Sequence, residues 1–292
     1  MHVILTGGGS FIGLTVIEVL AKAGFRVTAT YRGEATSAIN RCQSSYPNVK
    51  FKCVDITKKN NFTRLPVRID AVIHMAAVAP SPITNIDKMI LCNMIGTRNI
   101  QRYGISAKAK CIIFMSSLSV YGNIEDSIVD ENTRINNPDL YGAAKYLGER
   151  ILASTADKMS VFAIRLPGVV GKGAFRSWMP KLVNQLQAGL PVKIYDPEMP
   201  FNSVIHVADL SNLIVTLLEK NALRGFHAFP FAASDAIPKA KIVTFLLEKL
   251  HSNSSVSMEA KGNKIYVVSS KYVENKFGYF PMSTKDLLAE YC

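Results

Sequence analysis

At 292 residues, with 48% hydrophobic and 9% aromatic side chains, the chain can bury a sizeable core as one large domain or two unequal ones, and it is too apolar to be disordered. Its 34 Lys and Arg against 22 Asp and Glu leave a net charge of +12, but the cations are scattered among acids without a basic block, so nucleic-acid binding gets little support and an anionic cofactor and substrate account for the sign. No run is long and apolar enough to span a membrane, and His2-Val3-Ile4-Leu5 passes straight into a glycine cluster without a basic start or cleavage site, so the expected location is cytoplasmic.

In chain order, Val3 to Leu5 reads as a strand, Thr6-Gly7-Gly8-Gly9-Ser10-Phe11-Ile12-Gly13 as a glycine turn, and Val16, Ile17, Leu20 and Ala21 as the apolar face of a helix. That order makes a dinucleotide site: glycines admit a pyrophosphate close to the backbone, and the helix N-terminus offers N–H groups and a positive dipole end. Gly24 ends the helix and Arg26 to Tyr31 forms a second strand. An acid closing that strand would bond the ribose of NAD; the chain has Tyr31-Arg32, and an Arg matches a 2′-phosphate, so NADP(H) is the expected cofactor. The alternative is a solvated Arg32 with Glu34 as the ribose acid, which leaves NAD(H) possible.

Val49 to Val54 reads as a third strand ending in Asp55-Ile56, placed to touch an adenine, and Asp70 to Ala77 as a fourth, whose small Ala76 and Ala77 leave room for cofactor. His74 has no Ser or Cys beside it and is expected to be packed and hydrogen-bonded rather than catalytic. A helix from about Asp87 to Tyr103 carries Asn93 and Asn99; Cys111 to Met115 is a fifth strand delivering Ser116-Ser117-Leu118-Ser119-Val120-Tyr121-Gly122; Ser160 to Ile164 is a sixth. Strands apolar throughout and alternating with helices predict a parallel sheet covered on both faces.

Between the last two strands a helix is expected to start near Pro138, which tolerates a first turn, with Asp139 at the positive end of the dipole. Tyr141 and Lys145 are then neighbours at i and i+4, so an ammonium lies close to a phenol. A free phenol has a pKa of roughly 10, and a fixed cation is a direct way to bring it into acid–base range. Cys42, Cys53, Cys92, Cys111 and Cys292 are odd in number and lack disulfide or zinc spacing; no metal-ligand cluster, repeat or low-complexity segment is found.

In this order the motifs resemble those of the extended short-chain dehydrogenases/reductases, the group of nucleotide-sugar epimerases, dehydratases and ketoreductases. TGGGSFIG is similar to that group's TGxxGxxG, DI to its adenine-side pair, HMAA to HxAA, SSLSVYG to SSxxVYG and YGAAK to YxxxK. The resemblance runs on through Arg165-Leu166-Pro167-Gly168, Ile205-His206-Val207-Ala208-Asp209 and a closing segment around Phe277-Gly278-Tyr279. It implies an α/β fold, a Rossmann-type doubly wound parallel sheet with a smaller C-terminal substrate domain. The dinucleotide-binding domain would be 1–166, joined by about 202–225, and the substrate domain 167–201 with 226–292. It also implies Tyr141 as acid–base residue, Lys145 on the cofactor ribose, Ser117 on the reacting oxygen, Asn93 and Pro167 beside the cofactor, and a homodimer through the helices of Asn93 and Tyr141.

Four departures from the resemblance matter. Ser10 replaces the middle glycine of the cofactor turn, a small residue tolerable at some cost in backbone approach; Leu118 and Ser119 stand where 4,6-dehydratases carry an Asp-Glu pair; Gly168 replaces an Asn near the substrate phosphates and Asn202 stands for a diphosphate-binding Arg, the two that bear on a nucleotide-sugar substrate. Lys172, Arg176 and Lys181 offer replacement charge. The expected activity is reduction by NADPH of a keto group on a nucleotide-activated deoxysugar, with Ser117, Ser119, Gly168, Lys172, Arg176 and Asn202 on the substrate. A redox-neutral epimerase is the alternative, and a non-catalytic NADP-binding regulator a third reading.

Overall fold

The apolar runs become strands of one sheet: β1 (His2–Thr6), β2 (Arg26–Tyr31), β3 (Val49–Cys53), β4 (Ala71–His74), β5 (Cys111–Ser117), β6 (Ser160–Leu166) and β7 (Phe226–Pro230). These seven lie in the order β7-β6-β5-β4-β1-β2-β3. The pairs β1–β2, β2–β3, β1–β4 and β4–β5 are parallel. Every residue of β1, β4 and β6 is buried, which a strand covered on both faces requires; β3, at the edge, alternates buried Val49 and half-buried Phe51 and Cys53 with exposed Lys50 and Lys52. The order reverses between β1 and β4, where Thr6 pairs with His74, and the loops leaving the carboxyl ends of those two strands border the crevice of a doubly wound sheet.

The computed structural model describes residues 1–81, 83–220, 223–262 and 264–291; Cys292 lies outside them. By its internal contacts the chain divides into two units. The first is Met1–Gly122, Ile135–Arg165 and Leu210–Phe229, and the second is Asn123–Arg134, Leu166–Asp209 and Pro230–Cys292. In the first, Ile4, Val72, Ile112, Phe114, Leu152 and Val161 form part of one buried cluster, each such side chain worth about 1.5–3 kcal/mol when removed from water. Among the described residues no helix is long and apolar enough to cross a membrane.

The second unit is built from short parallel pairs, Gly168–Val170 with Val204–His206, Val192–Tyr195 with Val256–Glu259, and Ile128–Val129 with Val267–Val268. Helices Trp178–Gln187, Lys239–Lys249 and Thr284–Tyr291 pack Leu182, Leu186, Ile242, Leu246 and Leu287 into its core. The Asp209 carboxylate accepts from the Tyr279 hydroxyl (2.7 Å) and the Met282 amide (2.8 Å), tying down the last segment.

The boundaries differ from those read from sequence. Phe226 to Phe229, expected in the substrate domain, belongs to the first unit as a sheet strand beside β6, where the Val161 amide donates to the Gly225 carbonyl (2.9 Å). Residues 123–134, expected in the first domain, belong to the second because Ile128 and Val129 pair with Val267 and Val268. Residues 202–209 also stay in the second unit, held by the pairing of Val204–His206 with Gly168–Val170. The helix expected from Asp87 to Tyr103 is Ile86–Ile90, a π-helical turn Leu91–Gly96, and Thr97–Ser106.

Candidate active site

The turn after β1 is shaped by two glycines and a serine. Gly7 has φ +79°, and a Cβ there would press on the Ala76 amide nitrogen at 3.0 Å; a Cβ on Gly13 would strike the Gly7 carbonyl. Ser10 stands at φ −83°, which any residue adopts, so the family glycine is not needed there. Instead Ser10 caps the helix Phe11–Lys22: its hydroxyl donates to the Gly7 carbonyl (2.8 Å) and accepts from the Gly13 amide (3.0 Å). Phe11 and Ile12, in the first helical turn, have amides without an intrahelical partner. Bare backbone, a helix N-terminus and a cradle that a Cβ would fill suit a dinucleotide pyrophosphate.

The loop after β4 is held by a chain of hydrogen bonds. Thr6 Oγ1 accepts from the Met75 and Ala76 amides (both 3.1 Å) and bonds His74 Nδ1 (2.7 Å); His74 Nε2 bonds Thr97 Oγ1 (3.0 Å), which donates to the Asn93 carbonyl (2.7 Å). These directions assign the proton of a neutral His74 to Nε2. Burial, with the nearby Lys145 charge, lowers its pKa to about 3, so His74 is a packed scaffold group. Asn93, expected on the cofactor, spends its amide on Val78 instead, accepting from its N–H (2.8 Å) and donating to its carbonyl (2.9 Å). It holds the loop of half-buried Ala76 and exposed Ala77.

This relay sets a pH dependence. The fold keeps His74 neutral to about pH 3, while an unfolded imidazole takes up a proton below 6.5. Its contribution is therefore full above pH 6.5 and falls on acidification, by up to roughly 1.4 kcal/mol per pH unit. The stability difference between wild type and His74→Asn should shrink between pH 7 and pH 5 in urea unfolding; a constant difference would show that His74 protonates in the fold.

On the adenosine side, Arg32 follows β2 and is exposed, while Tyr31 is half-buried and meets Phe51 edge-on at 6.4 Å. Burial works to raise the Asp55 carboxyl, but bonds from the Thr57 amide (3.0 Å) and hydroxyl (2.8 Å), with the Arg32 charge beyond them, hold it below the ordinary value. Ile56, expected against adenine, is buried in the core cluster, where Gly96 leaves its side chain room.

The catalytic candidates come from β5 and the helix Leu140–Ala153. That helix starts two residues after Pro138, with Asp139 as its cap accepting from the Gly142 amide (2.7 Å). A side chain on Gly142 would collide with the Ser119 carbonyl, so glycine lets the 3-10 turn Leu118–Tyr121, which follows Ser117, lie against the helix that carries Tyr141. Ser117 Oγ accepts from the Ser119 amide (3.1 Å) and donates to Ser119 Oγ (3.2 Å). Lys145 Nζ donates to the Met115 carbonyl (2.6 Å) and lies 5.9 Å from the Tyr141 ring centroid, so the two side chains share a face as their spacing predicts. Burial brings the Lys145 ammonium down to about 8, against the opposing pull of Cys92 and Glu149.

Sequence reasoning missed what lies behind them. Glu149 Oε1 accepts from the Ser116 hydroxyl (2.6 Å) and from Arg165 Nε (3.1 Å), Oε2 accepts from Arg165 Nη2 (2.8 Å), and the guanidinium sits 4.9 Å from the Tyr121 ring centroid. A Glu directly after Leu147-Gly148 on the Tyr141 helix and an Arg inside an otherwise apolar strand were the only signals.

In the second unit, half-buried Pro167 follows β6 and Gly168 opens the next short strand; a Cβ on Gly168 would lie 2.6 Å from that of Ser177. Lys172 and Arg176 are exposed, Arg176 over the Phe175 ring at 5.1 Å. Asn202, expected on substrate diphosphate, is buried with its amide committed: it donates to the Ala233 (3.0 Å) and Val268 (2.7 Å) carbonyls and accepts from the Val268 amide (2.9 Å). It is a bracket, not a free donor. The same unit has a cavity of about 520 Å³ lined by Trp178, Tyr195, Phe201 and Tyr266 with Lys193 and Lys239.

A model of the NAD dependent epimerase/dehydratase family matches residues 3–229. A bifunctional UDP-glucose 4-epimerase and UDP-xylose 4-epimerase 1 of Pisum sativum is 26% identical over 253 residues, covering 75% of this chain and 71% of that protein. The fold is similar to DesIV, a dTDP-glucose 4,6-dehydratase from Streptomyces venezuelae with NAD and TYD bound (TM-score 0.82, 21% identity, 100% of this chain and 95% of that one). It is also similar to a UDP-glucuronic acid 4-epimerase from Bacillus cereus in complex with NAD (TM-score 0.81, 18% identity, 100% and 94%). With the matched span reaching from β1 to β7 and the glycine turn, Ser117, Tyr141 and Lys145 inside it, the chain belongs to the NAD dependent epimerase/dehydratase family of extended short-chain dehydrogenases/reductases.

Proposed function

We propose that this protein uses NADP(H) to reduce a keto group on a nucleotide-activated deoxysugar, with Tyr141 as proton donor. The observation that carries the cofactor preference is Arg32, a cation closing β2 where NAD enzymes need an acid, near enough to Asp55 to lower its carboxyl. Gly7, Ser10, Phe11, Ile12 and Gly13 would hold the pyrophosphate, Lys145 a ribose, and Arg32 the 2′-phosphate. When bound, the nicotinamide supplies hydride. Tyr141 gives its proton to the substrate oxygen, Ser117 donates a hydrogen bond to the same oxygen, and the Lys145 charge eases proton loss from the phenol. The aromatic faces and lysines of the second unit's cavity suit a nucleobase and its phosphates. A homodimer through the helices of Leu91 and Leu147, side chains exposed at 48% and 40%, belongs to the same proposal.

With a 4-keto nucleotide sugar, purified protein is expected to oxidise NADPH in preference to NADH. Arg32→Asp should shift kcat/KM toward NADH by about 10- to 100-fold, the worth of one charge-assisted phosphate contact. Equal use of both by the wild type would remove the argument. Similarity to the pea 4-epimerase favours a second reading, redox-neutral epimerisation; cofactor that copurifies and is not consumed would select it.

A further inference from the structure

We propose that the first unit carries a second anion site, at the end of the sheet opposite the glycine turn, which takes the phosphate groups of a small polyphosphorylated compound. Lys110 stands just before β5, Lys158 two residues before β6 and Arg224 two residues before β7. With Lys108 these four cations line one cavity of about 520 Å³, together with Ser160. All four are exposed, and none is ion-paired among the described residues. None of the described residues lining the cavity is acidic, Asp157 beside Lys158 included among those outside it. Asp70, which leads the neighbouring strand β4, accepts from the His2 amide at 2.7 Å.

Lysines close to helix ends ordinarily serve the negative dipole there, and the helix Thr97–Ser106 does end at this place. Its last carbonyls are already met by backbone, Lys108 N–H to Ile105 and Ala109 N–H to Gly104 (3.1 and 2.9 Å). The dipole thus accounts for one lysine, not for cations converging from three separate turns. Lys108 also has φ +58°, a left-handed conformation for which the helix ends at Gly24, Gly189 and Gly278 use glycine, with His251 sharing the exception. Here a lysine is kept where glycine relieves the backbone. Unpaired ammonium and guanidinium groups around a concave space with no opposing carboxylate match the charge of two or more linked phosphates.

Pyrophosphate is the probe, titrated calorimetrically into the full chain near physiological ionic strength with the cofactor crevice saturated by NADP or NAD. Wild type should bind it, and Lys110→Glu with Lys158→Glu should weaken binding by at least about tenfold while cofactor affinity stays unchanged. Should the double variant misfold, Lys110→Gln and Lys158→Gln singly carry the comparison. Undiminished binding in the variants, or none by wild type at about 10 mM, overturns the proposal. Binding confined to phosphatidylglycerol vesicles, and lost in the variants, also overturns it and makes the patch a membrane-facing surface.

Discussion

Tyr141→Phe is expected to lower the rate of hydride transfer about 10²- to 10⁴-fold, equivalent to roughly 2.7–5.5 kcal/mol of transition-state stabilisation, with cofactor affinity unchanged. The substitution removes one oxygen from a half-buried ring and leaves the helix cap at Asp139 and the Lys145–Met115 bond intact, so stability should move by no more than about 1 kcal/mol. The magnitude follows from what replaces the lost proton donor. In the proposed reaction Ser117 would be the remaining hydroxyl, but it is already engaged with Ser119 and an alcohol is a far weaker acid. Single-turnover oxidation of NADPH at saturating substrate, compared with cofactor titration of the same variant, separates chemistry from binding. A loss below about fivefold would place the proton donor elsewhere and leave Tyr141 as a packing residue.

The parts of this site that the sequence displays are those whose requirement is local. A glycine turn between an apolar strand and a helix announces itself because Gly7 needs a left-handed backbone and Gly13 a close approach to the Gly7 carbonyl, both decided within seven residues. Tyr141 and Lys145 are legible because four residues on a helix is one turn, and their side chains do meet. The strands β1, β4, β5 and β6 show as apolar runs since the sheet buries both their faces, whereas β3 at the edge interleaves Lys50 and Lys52. The misreadings are non-local. Asn202 looks like a polar ligand until its amide is seen bonded to Ala233 and Val268, 31 and 66 positions away. Asn93 and Ile56 likewise look free in sequence, but one is bonded to Val78 and the other lies in the core. Phe226 to Pro230, with His227 inside it and a Pro at its end, does not declare itself a sheet strand; its place beside β6 makes it one.

The least local feature gives the second large effect. Arg165→Leu should destabilise the fold by about 3–5 kcal/mol, because it strands a carboxylate, Glu149, whose exposure is 0% and which has no water to turn to. Geometry makes the pair tight: two N–H donors of one guanidinium reach the two oxygens of one carboxylate, at 3.1 and 2.8 Å, while the Ser116 hydroxyl takes a further acceptor position at 2.6 Å. The Glu149 helix is the one that presents Tyr141 and Lys145: the ion pair ties it to β6, and the Ser116 hydroxyl, one residue before Ser117, ties the same carboxylate to β5. Replacing both partners, Glu149→Leu with Arg165→Leu, removes the unpaired charge along with the bond and should cost less than the sum of the single changes, by at least about 1 kcal/mol of coupling. Denaturant midpoints of the four proteins of this cycle check the claim. If Arg165→Leu alone moved stability by under about 1 kcal/mol, the Glu149–Arg165 pair would not be what anchors this helix. The Tyr141 helix would then be held by apolar packing and by the Ser116 bond to β5.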